Sequence, residues 1–147
     1  MGIEFQVTFD AHDPARQAEF WAAALDYQVQ PPPEGFESWD AFAEKIGIPG
    51  DRRDRLSAVV DPENRGPRVL FQKVPEDKTV KNRVHLDVNV SRRGLVPSDD
   101  AAERRRRIAE HVQYLQALGA VVQREVDEPS GYCIVLKDPE GNEFCVQ

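Results

Sequence analysis

The first apolar pattern with helical spacing follows an early polar turn and has clear start signals. Asp13 is a good N-cap, Pro14 suits the first helical position, and small or aromatic apolar residues then recur every three or four positions. The pattern ends at Leu25. It therefore predicts a helix from about Pro14 to Leu25 with one apolar face.

A second apolar stripe at helical spacing lies in the other half of the chain. Its start is marked by the adjacent aspartates Asp99 and Asp100, and its end by Gly119, a residue type that favours helix C-termini. The predicted buried stripe consists of Ile108, Val112, Leu115 and Leu118. This pattern predicts a longer helix with a polar outer face.

Four short segments instead alternate apolar and polar residues, which is the period of a β-strand covered on one side. The predicted apolar faces consist of Phe5, Val7, Phe9, Val69, Phe71, Val84, Leu86, Val88, Phe144 and Val146. The opposite faces carry Gln6, Thr8, Asp10, Arg68, Leu70, Gln72, His85, Asp87, Asn89, Glu143, Cys145 and Gln147. Each of these strands thus has one apolar face and one largely polar face.

The chain contains the same order of elements twice. The paired phrases are FQVTFD with VHLDVN, ALDYQVQ with ALGAVVQ, and DPENRGPRVLFQ with DPEGNEFCVQ. Three echoes in one order indicate an internal duplication, because chance similarity between short phrases rarely preserves order. Each half reads as a strand, a helix and then more strands, which predicts an α+β fold.

Composition narrows the class of protein. A length of 147 residues with 40% hydrophobic residues fits one domain spanning 1–147. The formal charge of -7 and the pI near 5.0 argue against a nucleic-acid partner. No stretch approaches the roughly 20 apolar residues of a membrane span, and no signal peptide is visible, so we expect a cytoplasmic protein. Cys133 and Cys145 are expected to be reduced thiols.

The segment 31–65 is longer than the repeated unit requires. Its sequence SWDAFAEKIGI predicts a short helix capped by Ser38. The segment could pack on the outside as an ordinary insertion. It could also cover the mouth of a ligand site, with Trp39 and Phe42 as an apolar wall.

The polar strand faces are the candidate site. Such a face is often simply solvated, but both halves carry one, and two related sheets can curve into a cup with those groups inside. The predicted ligand-binding residues are Gln6, Thr8, Asp10, Leu70, Gln72, His85, Asp87, Glu143 and Cys145. His85 is the best catalytic candidate. It could act in general acid–base catalysis with Asp87 or Asp10, or it could activate Cys145 as a nucleophile. A structural role for His85 and a packing role for Cys145 remain alternatives.

Four phrases together resemble the vicinal oxygen chelate superfamily, and more narrowly its small bacterial glyoxalase-like domain proteins of the glyoxalase, bleomycin resistance protein and dioxygenase type. They are HDPARQAEFWAAAL, SWDAFAEKIGIP, DPENRGPRVLFQKVPEDKTVKNRVHLDV and DPEGNEFCVQ. The resemblance implies two βαβββ modules, about 1–76 and about 82–147. It also implies that their sheets form a curved, open mixed β-barrel with the helices outside.

Metal-dependent members of that superfamily hold a divalent metal on the first and last strands of each module. The resemblance places those positions at Gln6, Leu70, His85 and Cys145. Leucine cannot bind a metal, and the remaining amide, imidazole and thiol suit neither a hard magnesium-type site nor the usual iron or zinc sites. No cofactor is therefore predicted. If a metal does bind, the expected ligands are Gln6 and His85 with Glu143 turned inward.

Three functions stay open. The first is metal-free binding of a small organic molecule, for sequestration, sensing or catalysis by side chains alone. The second is a metal-dependent lyase, isomerase or dioxygenase, in which the metal acts as a Lewis acid. The third is an interaction module without a ligand. We expect a small molecule as partner, no membrane association, and a monomer or homodimer.

Overall fold

Two four-stranded sheets and their helices make up the fold. The structure is a computed structural model and describes residues 1–91 and 100–147. Its contacts divide the chain into two compact units, which we call module one (Met1–Asp77) and module two (Lys78–Gln147). Among the described residues, no helix is long and apolar enough to cross a membrane.

Module one contains a mixed sheet with one parallel pair. Its elements are β1 (Val7–Ala11), α1 (Pro14–Leu25), β2 (Gln28–Val29), α2 (Trp39–Lys45), a short 3₁₀ turn (Gly50–Arg52), β3 (Leu56–Val60) and β4 (Val69–Lys73). The strand order is β1-β4-β3-β2, with β1 parallel to β4 and the other pairs antiparallel. The first and last strands of the module are therefore neighbours.

Module two repeats this topology. Its elements are β5 (Asp87–Val88), α3 (Ala101–Ala117), β6 (Val121–Glu128), β7 (Gly131–Lys137) and β8 (Glu143–Val146). The strand order is β5-β8-β7-β6, again with the first and last strands parallel. The predicted α+β class and the two βαβββ modules are confirmed. The curved open barrel concerns how the modules sit together and stays a prediction.

Helix α1 begins and ends where the sequence indicated. The Asp13 side chain accepts a hydrogen bond from the Arg16 amide at 3.1 Å, and Pro14 is the first helical residue. The helix buries Trp21 completely, and the Trp21 ring meets Phe9 edge to face with centroids 5.1 Å apart. Phe9 in turn meets the buried ring of Phe71. This contact ties the helix to the two parallel strands.

Helix α3 confirms most of its predicted stripe. The Asp100 side chain accepts from the Ala102 amide at 2.9 Å, whereas the other candidate cap, Asp99, lies outside the described residues. Gly119 follows the helix with φ of 109°, a conformation that favours glycine. The buried residues are Ile108, Val112 and Leu115. The prediction for Leu118 is wrong: it is 41% exposed because it is the C-cap, where the apolar stripe has already ended.

Two predicted core residues of the first strands are also wrong. Phe5 is 71% exposed and Val84 is 80% exposed. Both precede the assigned strands, since β1 begins at Val7 and β5 at Asp87. The alternation of apolar and polar residues extends to these two positions in the sequence. A residue outside the paired strand is not held against the core, so its side chain is exposed.

The repeated DPE phrases are equivalent loops before the last strand of each module. In module one, the Asp61 carboxylate accepts backbone N–H bonds from Glu63, Arg65 and Gly66. In module two, Asp138 is 2% exposed and accepts from the Glu140 and Asn142 amides and from the Asn142 side chain. One carboxylate thus closes each loop by satisfying donors that the turn leaves unpaired.

The inserted segment forms the predicted short helix. The Ser38 hydroxyl accepts from the Ala41 amide at 3.0 Å and caps α2. Phe36, Trp39 and Phe42 pack edge to face, with centroids 5.1 and 5.8 Å apart. The Trp39 indole donates to the Gln30 carbonyl at 2.8 Å. This hydrogen bond anchors the aromatic cluster at the end of β2.

Candidate ligand site

The polar face of module one joins residues from both parallel strands. The register pairs Thr8 with Leu70 and Asp10 with Gln72, so these predicted site residues are neighbours on one face. Leu70 is half-buried, whereas Thr8, Asp10 and Gln72 are exposed. Gln6 lies one residue before β1 and donates to the Thr8 hydroxyl at 3.3 Å.

An arginine that the predicted site omitted lies one residue before β4, at the end of this face where Gln6 precedes β1. Arg68 Nη1 donates to Gln6 Oε1 at 2.6 Å, and Arg68 Nε donates to Gln30 Oε1 at 2.8 Å. Gln6 lies 62 residues from Arg68 in the sequence and Gln30 lies 38 residues from it, with Gln6 on the β1 side and Gln30 on the β2 side of the sheet. The half-buried guanidinium is therefore held from two sides by neutral amides.

Arg68 also keeps unused hydrogen-bonding capacity. A guanidinium has five N–H donors, of which these two bonds use one on Nε and one on Nη1. Within the described ranges, no carboxylate forms an ion pair with it. The sequence did contain a signal for this residue: Arg68 lies two positions before Leu70, on the same strand face.

The polar face of module two gathers three other predicted residues. Asp87 pairs directly with Cys145 across the parallel strands. The His85 Nδ1 atom lies 3.2 Å from an Asp87 carboxylate oxygen, and both side chains are 44% exposed. Candidate ligand atoms of His85, Asp87 and Cys145 all lie within 4.8 Å of one another. This group is the nearest approach to a metal-binding arrangement among the described residues.

The Cys145 thiol is a poor nucleophile in this setting. Burial, followed by the neighbouring Cys133 and Asp87, raises the pKa of Cys145 to about 12. The group is therefore a neutral thiol near neutral pH, whereas nucleophilic cysteines have lowered pKa values. This environment supports the packing role over covalent catalysis.

Glu143 is engaged inside its own module. Its carboxylate accepts from the Asn82 amide at 3.0 Å and lies 3.0 Å from the Lys78 ammonium. Burial alone raises the pKa of Glu143, but the Asn82 N–H and the Lys78 side chain outweigh it and lower the pKa to about 2. Lys78 lies 65 residues before Glu143, and no sequence pattern indicates this pairing.

The divalent metal implied by the resemblance does not fit these residues. Leu70 offers no ligand atom, and the Gln6 oxygen already accepts from a guanidinium 2.6 Å away. A cation on Gln6 would face that fixed positive charge. The expected substitute Glu143 is bound to Lys78, and Cys145 is protonated. The four family positions therefore do not supply a ligand set.

Comparison with known proteins agrees with the topology. The family model described as a glyoxalase-like domain matches residues 6–147. Two βαβββ modules of this order define a protein of the vicinal oxygen chelate superfamily. Within that superfamily, the chain belongs to the glyoxalase-like domain family. No curated protein matches the sequence.

Solved structures share the fold at low sequence identity. A glyoxalase/bleomycin resistance protein/dioxygenase family enzyme from Burkholderia phytofirmans PsJN is 18% identical, with a TM-score of 0.59 over 96% of this chain and 94% of that one. A possible glyoxalase from Bacillus cereus is 13% identical, with a TM-score of 0.59 over 100% and 98%. A mutant of the fosfomycin resistance protein FosX from Listeria monocytogenes, complexed with Mn(II) and 1S,2S-dihydroxypropylphosphonic acid, is 11% identical, with a TM-score of 0.58 over 99% and 88%. At these identities the likeness shows the fold alone.

Proposed function

We propose that this protein binds a small organic molecule on the polar face of its strands and does so without a metal. The observation that carries the proposal is the Gln6–Arg68–Gln30 cluster, in which a half-buried cation is fixed by two neutral side chains. Fixed polar groups beside apolar surface are typical of small-molecule sites. Binding would serve sequestration, sensing or a reaction that uses side chains alone.

The predicted lining residues keep their places in this proposal, with Arg68 and Gln30 added to them. Thr8, Asp10 and Gln72 would supply exposed polar contacts, and Leu70 would supply an apolar one. His85 and Asp87 would contribute a hydrogen-bonded pair, with His85 as the candidate proton acceptor or donor. Glu143 would act indirectly, since its carboxylate is held by Lys78 and Asn82.

A metal-dependent lyase, isomerase or dioxygenase is the second candidate. The observation that favours it is the His85, Asp87 and Cys145 group, whose ligand atoms come from one module. A mixed nitrogen, oxygen and sulfur set suits zinc or another borderline metal better than magnesium. His85 is the residue on which the two candidates make different predictions.

The experiment that separates them combines metal analysis with a fragment screen. Protein purified without a metal column is assayed for metal before and after incubation with iron, manganese, zinc and nickel. Wild type, His85→Ala and the control His12→Ala are then screened against small molecules by thermal shift. The proposal expects no stoichiometric metal in any sample and stabilisation of the wild type by some organic molecules.

Two other results would contradict the proposal. Stoichiometric metal that is lost in His85→Ala and kept in His12→Ala would replace the proposal with the metal-dependent candidate. Neither metal nor stabilisation by any molecule would favour an interaction module without a ligand. The control is suitable because His12 is exposed and its contacts with Asp77 and the Glu76 carbonyl lie within module one.

A further inference from the structure

We infer that Arg68 recognises a carboxylate, so that the ligand of this protein is an organic acid with an apolar body. The inference rests on the proposed small-molecule function and names the chemical class that module one would select. It requires a fixed cation, unused donors with the right geometry, and apolar surface beside them. The described residues provide all three.

The guanidinium is fixed before any ligand arrives. Gln6 and Gln30 accept from different nitrogens of Arg68 at 2.6 and 2.8 Å, so rotation about its terminal bonds would break one bond or the other. Arginine loses considerable side-chain entropy when it is ordered. Because the protein has already ordered this side chain, a ligand does not bear that cost, which favours binding.

The unused donors match a carboxylate. Two N–H groups on Nη2 and one on Nη1 remain after the bonds to the glutamines. Adjacent N–H groups of a guanidinium form two parallel hydrogen bonds to a carboxylate, which are stronger than bonds between neutral groups. Both glutamine oxygens face the guanidinium, and neither neutralises its charge.

Arg68 differs from several other charged residues of the sheets, because it has no partner of opposite charge among the described residues. In module two, Arg105 donates to Asp127 at 2.8 Å, and Glu143 lies 3.0 Å from Lys78. Arg68 has only neutral partners among residues 1–91 and 100–147. A half-buried cation without a counter-ion has lost part of its hydration. An organic anion would supply the missing partner.

Apolar surface lies directly beside the guanidinium. Leu70 follows Arg68 by two residues on the same face, and the antiparallel register places Ala58 opposite Leu70 and Leu56 opposite Gln72. Leu56, opposite Gln72 at the other end of β4, is 59% exposed and extends the apolar surface along this face. The exposed Trp39 indole donates to the carbonyl of Gln30, the residue whose side chain accepts from Arg68. This contact adds an aromatic ring near Gln30.

The test compares a carboxylate with its neutral amide. Phenylacetate and phenylacetamide are titrated into isotope-labelled wild type, Arg68→Met, Arg68→Lys and the control Arg65→Met, with NMR shifts as readout. Arg65 is a suitable control because it is exposed and pairs with Glu63 in the loop before β4. Urea unfolding of each variant establishes that it is folded.

We expect phenylacetate to shift the Arg68 Nε–H signal and the Gln6 and Gln30 side-chain amides of the wild type. Arg68→Met should weaken this binding by roughly 10- to 100-fold, the usual worth of a hydrogen bond to a charged group. Arg68→Lys should lie between wild type and Arg68→Met, because it keeps the charge and loses the planar fork. Phenylacetamide should bind the wild type at least about tenfold more weakly than phenylacetate, and Arg65→Met should equal the wild type.

Other outcomes overturn the inference. Absence of phenylacetate binding to the wild type, equal binding of the amide and the acid, or unchanged binding in folded Arg68→Met would each do so. The first two results still leave small-molecule binding intact if neutral molecules stabilise the protein in the thermal-shift screen. If no molecule of either kind binds, the proposed function itself fails.

Discussion

Arg68 and Glu143 occupy equivalent positions in the two modules, but among the described residues only Glu143 has a partner of opposite charge. Each lies two residues before a strand residue that pairs with the first strand of its module, Leu70 with Thr8 and Cys145 with Asp87. Glu143 meets the Lys78 ammonium and the Asn82 amide, whereas Arg68 meets two neutral glutamines. The duplicated position thus carries an ion pair in module two and a cation with two neutral partners in module one.

Replacement of Glu143 with glutamine should reveal this structural role. We expect a loss of about 1–3 kcal/mol in the free energy of unfolding at pH 7, because Lys78 would lose its counter-ion. The pKa of Glu143 is near 2 in the folded protein and 4.5 ordinarily. The stabilisation is therefore fully present above the unfolded value and is lost as the pH falls towards the folded one.

Urea unfolding at pH 7 and at about pH 3 measures this difference. The gap between wild type and Glu143→Gln should narrow at the lower pH. Glu63→Gln is the control, since Glu63 forms an exposed pair with Arg65 and should change stability by less than about 1 kcal/mol. A gap that widens on acidification would contradict the assignment.

Truncation of the two loop aspartates should have unequal effects. Asp138→Ala should cost about 2–4 kcal/mol, because a 2% exposed carboxylate leaves three N–H groups without their acceptor. Asp61→Ala should cost less, since Glu63 and Arg65 are exposed and their amides can bond to water. Thermal unfolding of both variants compares them, and equal losses would show that burial of the loop is not the deciding factor.

Cys145 should react slowly with alkylating reagents. Its pKa near 12 leaves very little thiolate at pH 8, so iodoacetamide should label it in the wild type roughly a hundredfold more slowly than an unstructured cysteine peptide, with peptide mapping separating Cys145 from Cys133. Mass spectrometry over time measures the rate, and urea-unfolded protein provides the reference. Labelling as fast as the peptide would restore Cys145 as a candidate nucleophile.

Gly66 should not tolerate a side chain. A Cβ atom there would lie 1.8 Å from the Tyr27 hydroxyl oxygen and 3.0 Å from its ring, so Gly66→Ala should cost about 1–3 kcal/mol. Gly50→Ala is the matched control, because nothing lies within 4 Å of its added Cβ. Adding Tyr27→Phe to Gly66→Ala should recover part of the loss in chemical unfolding. If Tyr27→Phe recovers none of the lost stability, the contact with the Tyr27 hydroxyl is not the source of the strain.

The sequence predicted those features that depend on local pattern. Asp13 and Pro14 defined the start of α1, alternation identified the buried Val69 and Phe71, and the duplicated phrases indicated two modules. The prediction failed at positions where the local pattern extends beyond the paired strand or beyond the last turn of the helix. Phe5 and Val84 continue the alternation beyond the paired strand, and Leu118 continues the helical stripe beyond the last turn.

The candidate site was less predictable because its chemistry depends on partners distant in sequence. Alternation placed Arg68 on the polar face, but only the fold brings Gln6 and Gln30 to it, 62 and 38 residues away. The same is true of Glu143, because its strand position does not indicate the contact with Lys78, 65 residues earlier. Whether a charge is neutralised cannot be read from its strand position.

The parallel pairing of the first and last strands gives each module its own closed core. In module one, β1 and β4 are held together by α1 through Phe9, Trp21 and Phe71, and module two has the same strand order around α3. The contacts that hold these strands together lie within a single module in each case. After a duplication, one copy can lose its ancestral chemistry while its twin preserves it, so new specificities in such chains can arise one module at a time.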